Sequence, residues 1–115
     1  MHELSVALSI VEGAEEEAKR QGGGRVSAVY LKLGPLSGVV KDALLFSYEL
    51  ACAGTLLEGS RLLIEEIPIR IYCETCASEG DPISLQDFHC ARCQSAACRV
   101  VRGAELELSA LELDV

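Results

Sequence analysis

Two short cysteine pairs constrain this chain more than any other feature: Cys73-Glu74-Thr75-Cys76 and Cys90-Ala91-Arg92-Cys93, with thirteen residues between them. A two-residue spacer lets one tight turn point both sulfurs at a single ion, and two such turns supply the four tetrahedral ligands that zinc prefers. The intervening loop contains Gly80-Asp81-Pro82 and is long enough to bring the pairs together. Residues 73–98 hold five of the six cysteines but little continuous apolar pattern. Such a stretch builds little core of its own, so a metal staple is expected there. The expectation is a structural Zn(II) site made by Cys73, Cys76, Cys90 and Cys93.

Other uses of cysteine fit less well. Three disulfides would suit a secreted chain. Here, however, Met1-His2-Glu3 opens the sequence and Glu12, Glu15, Glu16 and Glu17 interrupt the next stretch with charge, unlike a secretory leader. No apolar run approaches bilayer length, so no membrane partner is expected and the cytoplasm is the expected compartment. A thioredoxin-like redox pair needs one accessible pair at a helix start in a βαβ unit, and no such unit is apparent. Four thiolates close the coordination sphere and leave no position for a catalytic water. His89 and Cys98 lie near the pairs as spares, either of which could stand in for a cysteine; Cys52, on an apolar helix face, reads as a small buried residue. The chain is half apolar and a quarter charged, as ordinary globular domains are, which excludes disordered and low-complexity classes. Its net charge of −8, without a basic patch, argues against a nucleic-acid partner.

The apolar spacing predicts a helix over residues 3–20, with Leu4, Leu8, Val11, Ala14 and Ala18 on its inner face and Gly13 a weak point within it. A strand over Val26 to Leu33 comes next, stopped by Gly34-Pro35. Asp42 is placed as the cap of a second helix running to Leu50 or Cys52, with Leu45, Tyr48 and Cys52 in one stripe. Leu62 to Tyr72 reads as a second strand whose Leu63, Ile67, Ile69 and Ile71 share a face; Pro68 puts it at an edge or gives it a bulge. Ala104 to Val115 reads as a third strand. Its leucines change phase between Leu108 and Leu111, which predicts a bulge near Ser109 to Leu111.

The N-terminal Met1-His2-Glu3 has specific chelating chemistry. The bulk of His2 predicts retention of the initiator Met. The Met1 amine, the deprotonated His2 amide and the His2 imidazole close one five-membered and one six-membered ring on a metal ion. A fourth group, such as the amide or carboxylate of Glu3, completes a square plane, a geometry that favours Ni(II) or Cu(II). Binding there is reversible and governed by pH, since protons must leave the ligands. On the tripeptide alone the plainer reading is that His2 and Glu3 start the first helix, with Glu3 complementing its dipole.

Several segments in order carry a family resemblance: Met1-His2-Glu3-Leu4-Ser5, Leu33-Gly34-Pro35-Leu36-Ser37-Gly38, Gly59-Ser60-Arg61-Leu62, the double Cys-x-x-Cys, and Gly103-Ala104-Glu105-Leu106. Together they resemble the HypA family of nickel-insertion accessory proteins, which mature [NiFe]-hydrogenases, over essentially the whole chain. The resemblance implies an α+β fold: a small three-stranded sheet with two helices, forming a nickel-binding domain (1–70 and 102–115), and an inserted zinc-ribbon-like domain (71–101). It implies Ni(II) as cargo at Met1, His2 and Glu3, and Zn(II) at Cys73, Cys76, Cys90 and Cys93. It further implies a nickel-binding GTPase and the hydrogenase large subunit as partners, and for some members urease maturation proteins as well. The family often has Gly after the first pair, Pro inside the second and Gly-Ser after it. Here those places hold Ala77, Ala91 and Gln94-Ser95, which predicts slightly looser turns without loss of a ligand. Asp42 is a carboxylate that could approach the N-terminus, though a capping role is the simpler expectation.

The function expected on these grounds is that of a non-enzymatic nickel metallochaperone, delivering Ni(II) during maturation of [NiFe]-hydrogenase. The competing reading is a zinc-stapled adaptor whose whole task is protein binding; a thiol oxidoreductase ranks below both.

Overall fold

The computed structural model describes residues 2–114. Their order is α1 (Glu3–Arg20), β1 (Val26–Leu33), a 3-10 turn (Pro35–Ser37), α2 (Lys41–Cys52), β2 (Arg61–Glu66), β3 (Arg70–Cys73), β4 (Ser78–Gly80), β5 (Cys98–Arg102) and β6 (Leu106–Leu113). They form two three-stranded sheets, ordered β2-β1-β6 and β4-β3-β5, so the fold is α+β. No described helix is long and apolar enough to cross a membrane. The chain separates into two compact units: residues 1–32, 38–65 and 107–115, and residues 33–37 and 66–106.

In the first unit α1 and α2 pack together over a core in which Ala7, Ala14 and Leu44 are fully buried. The inner face of α1 is Ala7, Ile10, Val11, Ala14 and Ala18, while Leu4 and Leu8 are about half exposed. Alanines let a neighbouring helix approach closely, and the leucines expected inside lie to one side of that seam. In α2 the buried stripe is Leu44, Tyr48, Ala51 and Cys52; Leu45 is exposed, which corrects the expected stripe by one residue. Tyr48 Oη bonds Ser60 Oγ at 2.7 Å, satisfying its buried hydroxyl.

Asp42 does not cap α2. The cap is Val40, which has no capping side chain of its own, and Asp42 sits within the first turn. A carboxylate from elsewhere serves that end: Glu3 Oε2 accepts the Val40 N–H at 3.2 Å.

Pro68 divides the expected long strand. β2 ends at Glu66 and β3 starts at Arg70, and the two strands belong to different sheets. A proline has no N–H for a ladder, so the chain changes sheets where pairing is already interrupted. β6 spans Leu106–Leu113. Leu111 and Leu113 pack against the helical core while Leu106 and Leu108 are exposed. The change of phase between Leu108 and Leu111 that motivated the expected bulge coincides with this change from exposed to half-covered leucines.

The second unit is held by β3 between two antiparallel partners, with Ile71 opposite Gly80 on one side and Val100 on the other. Its buried core is small: Ile71, Cys73 and Cys90, with Cys76, Phe88 and Cys98 packed against them. In the same unit the backbones of residues 34 and 103 nearly touch. A Cβ on Gly34 would lie 2.1 Å from the Gly103 carbonyl oxygen. Gly103 has φ +117, and a Cβ there would meet Ile69 at 2.8 Å. The Gly34 N–H donates to Glu105 O and the Leu36 N–H to Gly103 O, both at 2.8 Å. Two of the motif segments, distant in sequence, therefore meet through their glycines.

Candidate metal centres

β3 ends on Cys73, and the turn after it brings Cys76 back toward the same point, with the Cys76 N–H donating to Cys73 Sγ at 3.4 Å. The second knuckle starts at Cys90, which bridges to Pro82. It is closed by the Gln94 N–H on Cys90 O at 2.7 Å and the Cys90 N–H on Ser95 O at 3.0 Å. Thr75 Oγ1 donates to Ser95 Oγ at 2.9 Å and ties the knuckles together. In each knuckle the residue directly after the second cysteine is left-handed: Ala77 at φ 53 and Gln94 at φ 62. The tight turn forms without glycine, at the steric cost that a Cβ brings in that region.

These turns gather the sulfurs of Cys73, Cys76, Cys90 and Cys93 within 4.8 Å of one another. Cys73 Sγ lies 3.6 Å from Cys93 Sγ, and Cys76 Sγ lies 3.9 Å from Cys90 Sγ. A tetrahedron with Zn–S bonds of about 2.3 Å has edges of about 3.8 Å, so the donor set and its spacing fit a zinc ion. Cys73 and Cys90 are buried, Cys76 is half-buried and Cys93 is exposed.

The thiols differ in acidity. Cys73 is pulled down to about 6, chiefly by the Cys76 N–H. Cys90 is lowered too, first by the Cys93 N–H and then by that of Arg92. Cys76 is pushed up to about 12 by hydrogen bonding to the Cys93 thiol and by burial. Backbone N–H groups thus favour thiolate at one cysteine of each knuckle, and a cation would displace the remaining protons.

Of the two spares, only Cys98 is at the cluster. It is the cross-strand partner of Cys73 and donates its S–H to Ser95 O at 3.3 Å. His89 is exposed and directs Nδ1 to Asp87 at 3.0 Å, outside the group of four. Cys52 is buried in the helical core near Ser60, as a small apolar residue would be.

At the other candidate centre, Met1 lies outside the described residues. His2 is the exposed cap residue of α1, extended at φ −84 and ψ 102. Its carbonyl accepts the Val6 N–H, but its side chain makes no capping bond. The first backbone N–H groups of a helix have no intrahelical acceptor, so the His2 and Glu3 amides are not consumed by the helix. The Glu3 carboxylate is held below the usual range, chiefly by the Val40 N–H. No pattern in the sequence marks that contact.

A family model described as "Hydrogenase/urease nickel incorporation, metallochaperone, hypA" matches residues 1–113. The hydrogenase maturation factor HypA of Roseiflexus sp. (strain RS-1) is 54% identical over 114 residues, covering 99% of this chain and 93% of the relative. That of Chloroflexus aurantiacus (strain J-10-fl) is 46% identical over 112 residues, covering 97% and 98%. Among solved structures, the solution structure of the Ni metallochaperone HypA from Helicobacter pylori aligns with a TM-score of 0.68 at 26% identity, covering 98% of this chain and 97% of that one. Another HypA solution structure aligns with a TM-score of 0.73, also at 26% identity, covering 98% and 96%.

Proposed function

The chain belongs to the HypA family of nickel-incorporation metallochaperones, maturation factors rather than enzymes, and we propose that it carries Ni(II) on its own N-terminus. The Met1 amine, the His2 amide and the His2 imidazole form the chelate, with Glu3 beside them. The observation that carries this reading is the state of His2. It is exposed at the very start of α1, its imidazole makes no capping bond, and its amide lies ahead of the helical hydrogen-bond ladder. Nitrogen donors in two fused rings suit a square-planar Ni(II), and an exposed chain end suits a cargo that must leave.

Zn(II) is the proposed resident of the four-cysteine cluster, where Cys73, Cys76, Cys90 and Cys93 close its coordination sphere and the ion staples the fold. We assign nickel binding to residues 1–70 and 102–115, and zinc binding to residues 71–101. The proposed recipients are the maturation GTPase that binds nickel and the hydrogenase large subunit, with urease maturation proteins as a second route. Their docking against the N-terminus would distort the planar chelate and release the ion. Cytoplasmic residence is proposed from the need for reduced thiols.

The test is an absorption titration of Ni(II) into zinc-loaded, untagged protein and into His2→Gln. The wild type is expected to develop the band of a planar nitrogen-ligated Ni(II) at one equivalent, and His2→Gln to lose it. Equal binding by both proteins would end the assignment and leave the zinc-stapled adaptor.

A further inference from the structure

One groove in the first unit has no role in either metal centre. It is open, about 580 Å³ in volume, and runs between the flank of α1 and the strand β6. Gly13, Glu17 and Gln21, spaced four residues apart, form the helical wall; Leu108 to Leu111 and Leu113 form the other. β6 is the outer strand of the order β2-β1-β6, so its far edge has no partner in this sheet. Free edges are commonly blunted by Lys or Pro. β6 has neither; its only charges are the carboxylates of Glu107 and Glu112, which repel acidic strands and admit basic ones, and Leu106 and Leu108 on it are exposed.

Gly13 is the second observation. Glycine weakens a helix interior relative to alanine. A Cβ on Gly13 would meet nothing within 4 Å, so packing inside this chain does not require it. A bare helix flank opposite an unpaired strand edge is what an incoming backbone would need.

We propose that this groove receives an extended segment of another protein, which adds as a strand to β6 and lays its inward side chains against Gly13. Charge selects the segment. From Glu105 to Asp114 the chain has four carboxylates and no basic residue. Lys32 belongs to the adjacent strand β1, not to the free edge. The Glu17 carboxylate is already taken by Arg20 and Gln21, Glu105 accepts the Gly103 N–H and Glu112 the Tyr30 hydroxyl, so the charge on β6 itself is that of Glu107 and Glu112, flanked by Glu105 and Asp114. A second copy would bring a second set of these carboxylates to the same edge with no basic residue to offset them, and like charges brought together destabilise a strand pair. The matching occupant alternates small apolar residues with Lys or Arg, the side-chain period of strand addition.

The experiment uses the full zinc-loaded chain and a labelled peptide of four Val-Lys repeats, with a Val-Glu repeat as control. Anisotropy reports affinity, and amide exchange reports where the peptide sits. The Val-Lys peptide is expected to bind and to slow exchange over Leu106 to Leu113, while the Val-Glu peptide does not bind. Gly13→Leu fills the groove and favours the helix. It is expected to weaken binding about tenfold or more with no fall in thermal midpoint, and Glu107→Lys to weaken binding as well. Unchanged affinity in Gly13→Leu would mean bulk charge attraction and overturn the proposal, as would protection elsewhere or no binding. Self-association of the wild type that Gly13→Leu abolishes would also overturn it, by giving the groove to a second copy.

Discussion

Ala77 and Gln94 occupy the same place in the two knuckles and share a backbone conformation that favours glycine. Each carries a Cβ where a left-handed residue pays about 1 kcal/mol for it. Ala77→Gly and Gln94→Gly are therefore expected each to raise the stability of the zinc-loaded protein by about 1 kcal/mol. The check is the denaturant midpoint of each variant; a lowered midpoint would contradict the turn geometry. The clustering of Cys73, Cys76, Cys90 and Cys93 is legible in the sequence because two paired spacings are what a four-sulfur centre demands. The knuckle conformation is legible only as a departure from glycine at two positions. Glu3 shows the limit for single residues: its carboxylate meets Val40, 37 residues away, and no local pattern announces such a contact.

Among the elements, α1 is legible because it buries one apolar stripe, and β1 because a largely covered apolar run lies between glycine stops, although the adjacent Ala28 and Val29 are both buried. α2 is less so. Its expected cap, Asp42, gives way to Val40 supported by Glu3, and its stripe moves from Leu45 to Leu44. The continuous run from Leu62 to Tyr72 hides a change of sheet that only its proline marks. β4 and β5 escape sequence reading, since both flank the cysteines with mixed polar residues and are defined by pairing to β3.

The buried face of α2 also sets an alkaline limit. Burial pushes the Tyr48 hydroxyl above its ordinary value of 10, so the folded state resists its ionisation. A folded pKa above the unfolded one contributes stability that is complete below about pH 10 and is lost as pH rises beyond it. Helical ellipticity is expected to become denaturant-sensitive above about pH 10. In Tyr48→Phe that pH dependence should flatten, while neutral stability drops by about 1 kcal/mol for the lost bond to Ser60. An unchanged alkaline slope in Tyr48→Phe would contradict the assignment.

Taken as a whole, the molecule consists of two compact units that rest on unequal cores. The helical unit buries a continuous set from Ala7 to Leu62, whereas the other buries Ile71, Cys73 and Cys90 and little more. So small a core is expected to depend on the proposed zinc. Chelating the zinc at neutral pH is expected to collapse the amide dispersion of residues 71–101 while the signals of α1 and α2 persist. Loss of both sets together would show that the helical unit also depends on the metal. Acid should mimic the chelator, because protons compete for the same thiolates.

The proposed function puts two metals in two chemically distinct places: a planar nitrogen chelate of Met1 and His2, and a closed cluster of four sulfurs. The decisive experiment is X-ray absorption at both metal edges, on untagged protein holding one equivalent each of Ni(II) and Zn(II). Nickel is expected to show only nitrogen and oxygen neighbours, with the edge features of a square plane, and zinc to show four sulfur neighbours. Sulfur in the nickel shell would contradict the assignment, because nickel would then sit among Cys73, Cys76, Cys90 and Cys93 and not at the N-terminus.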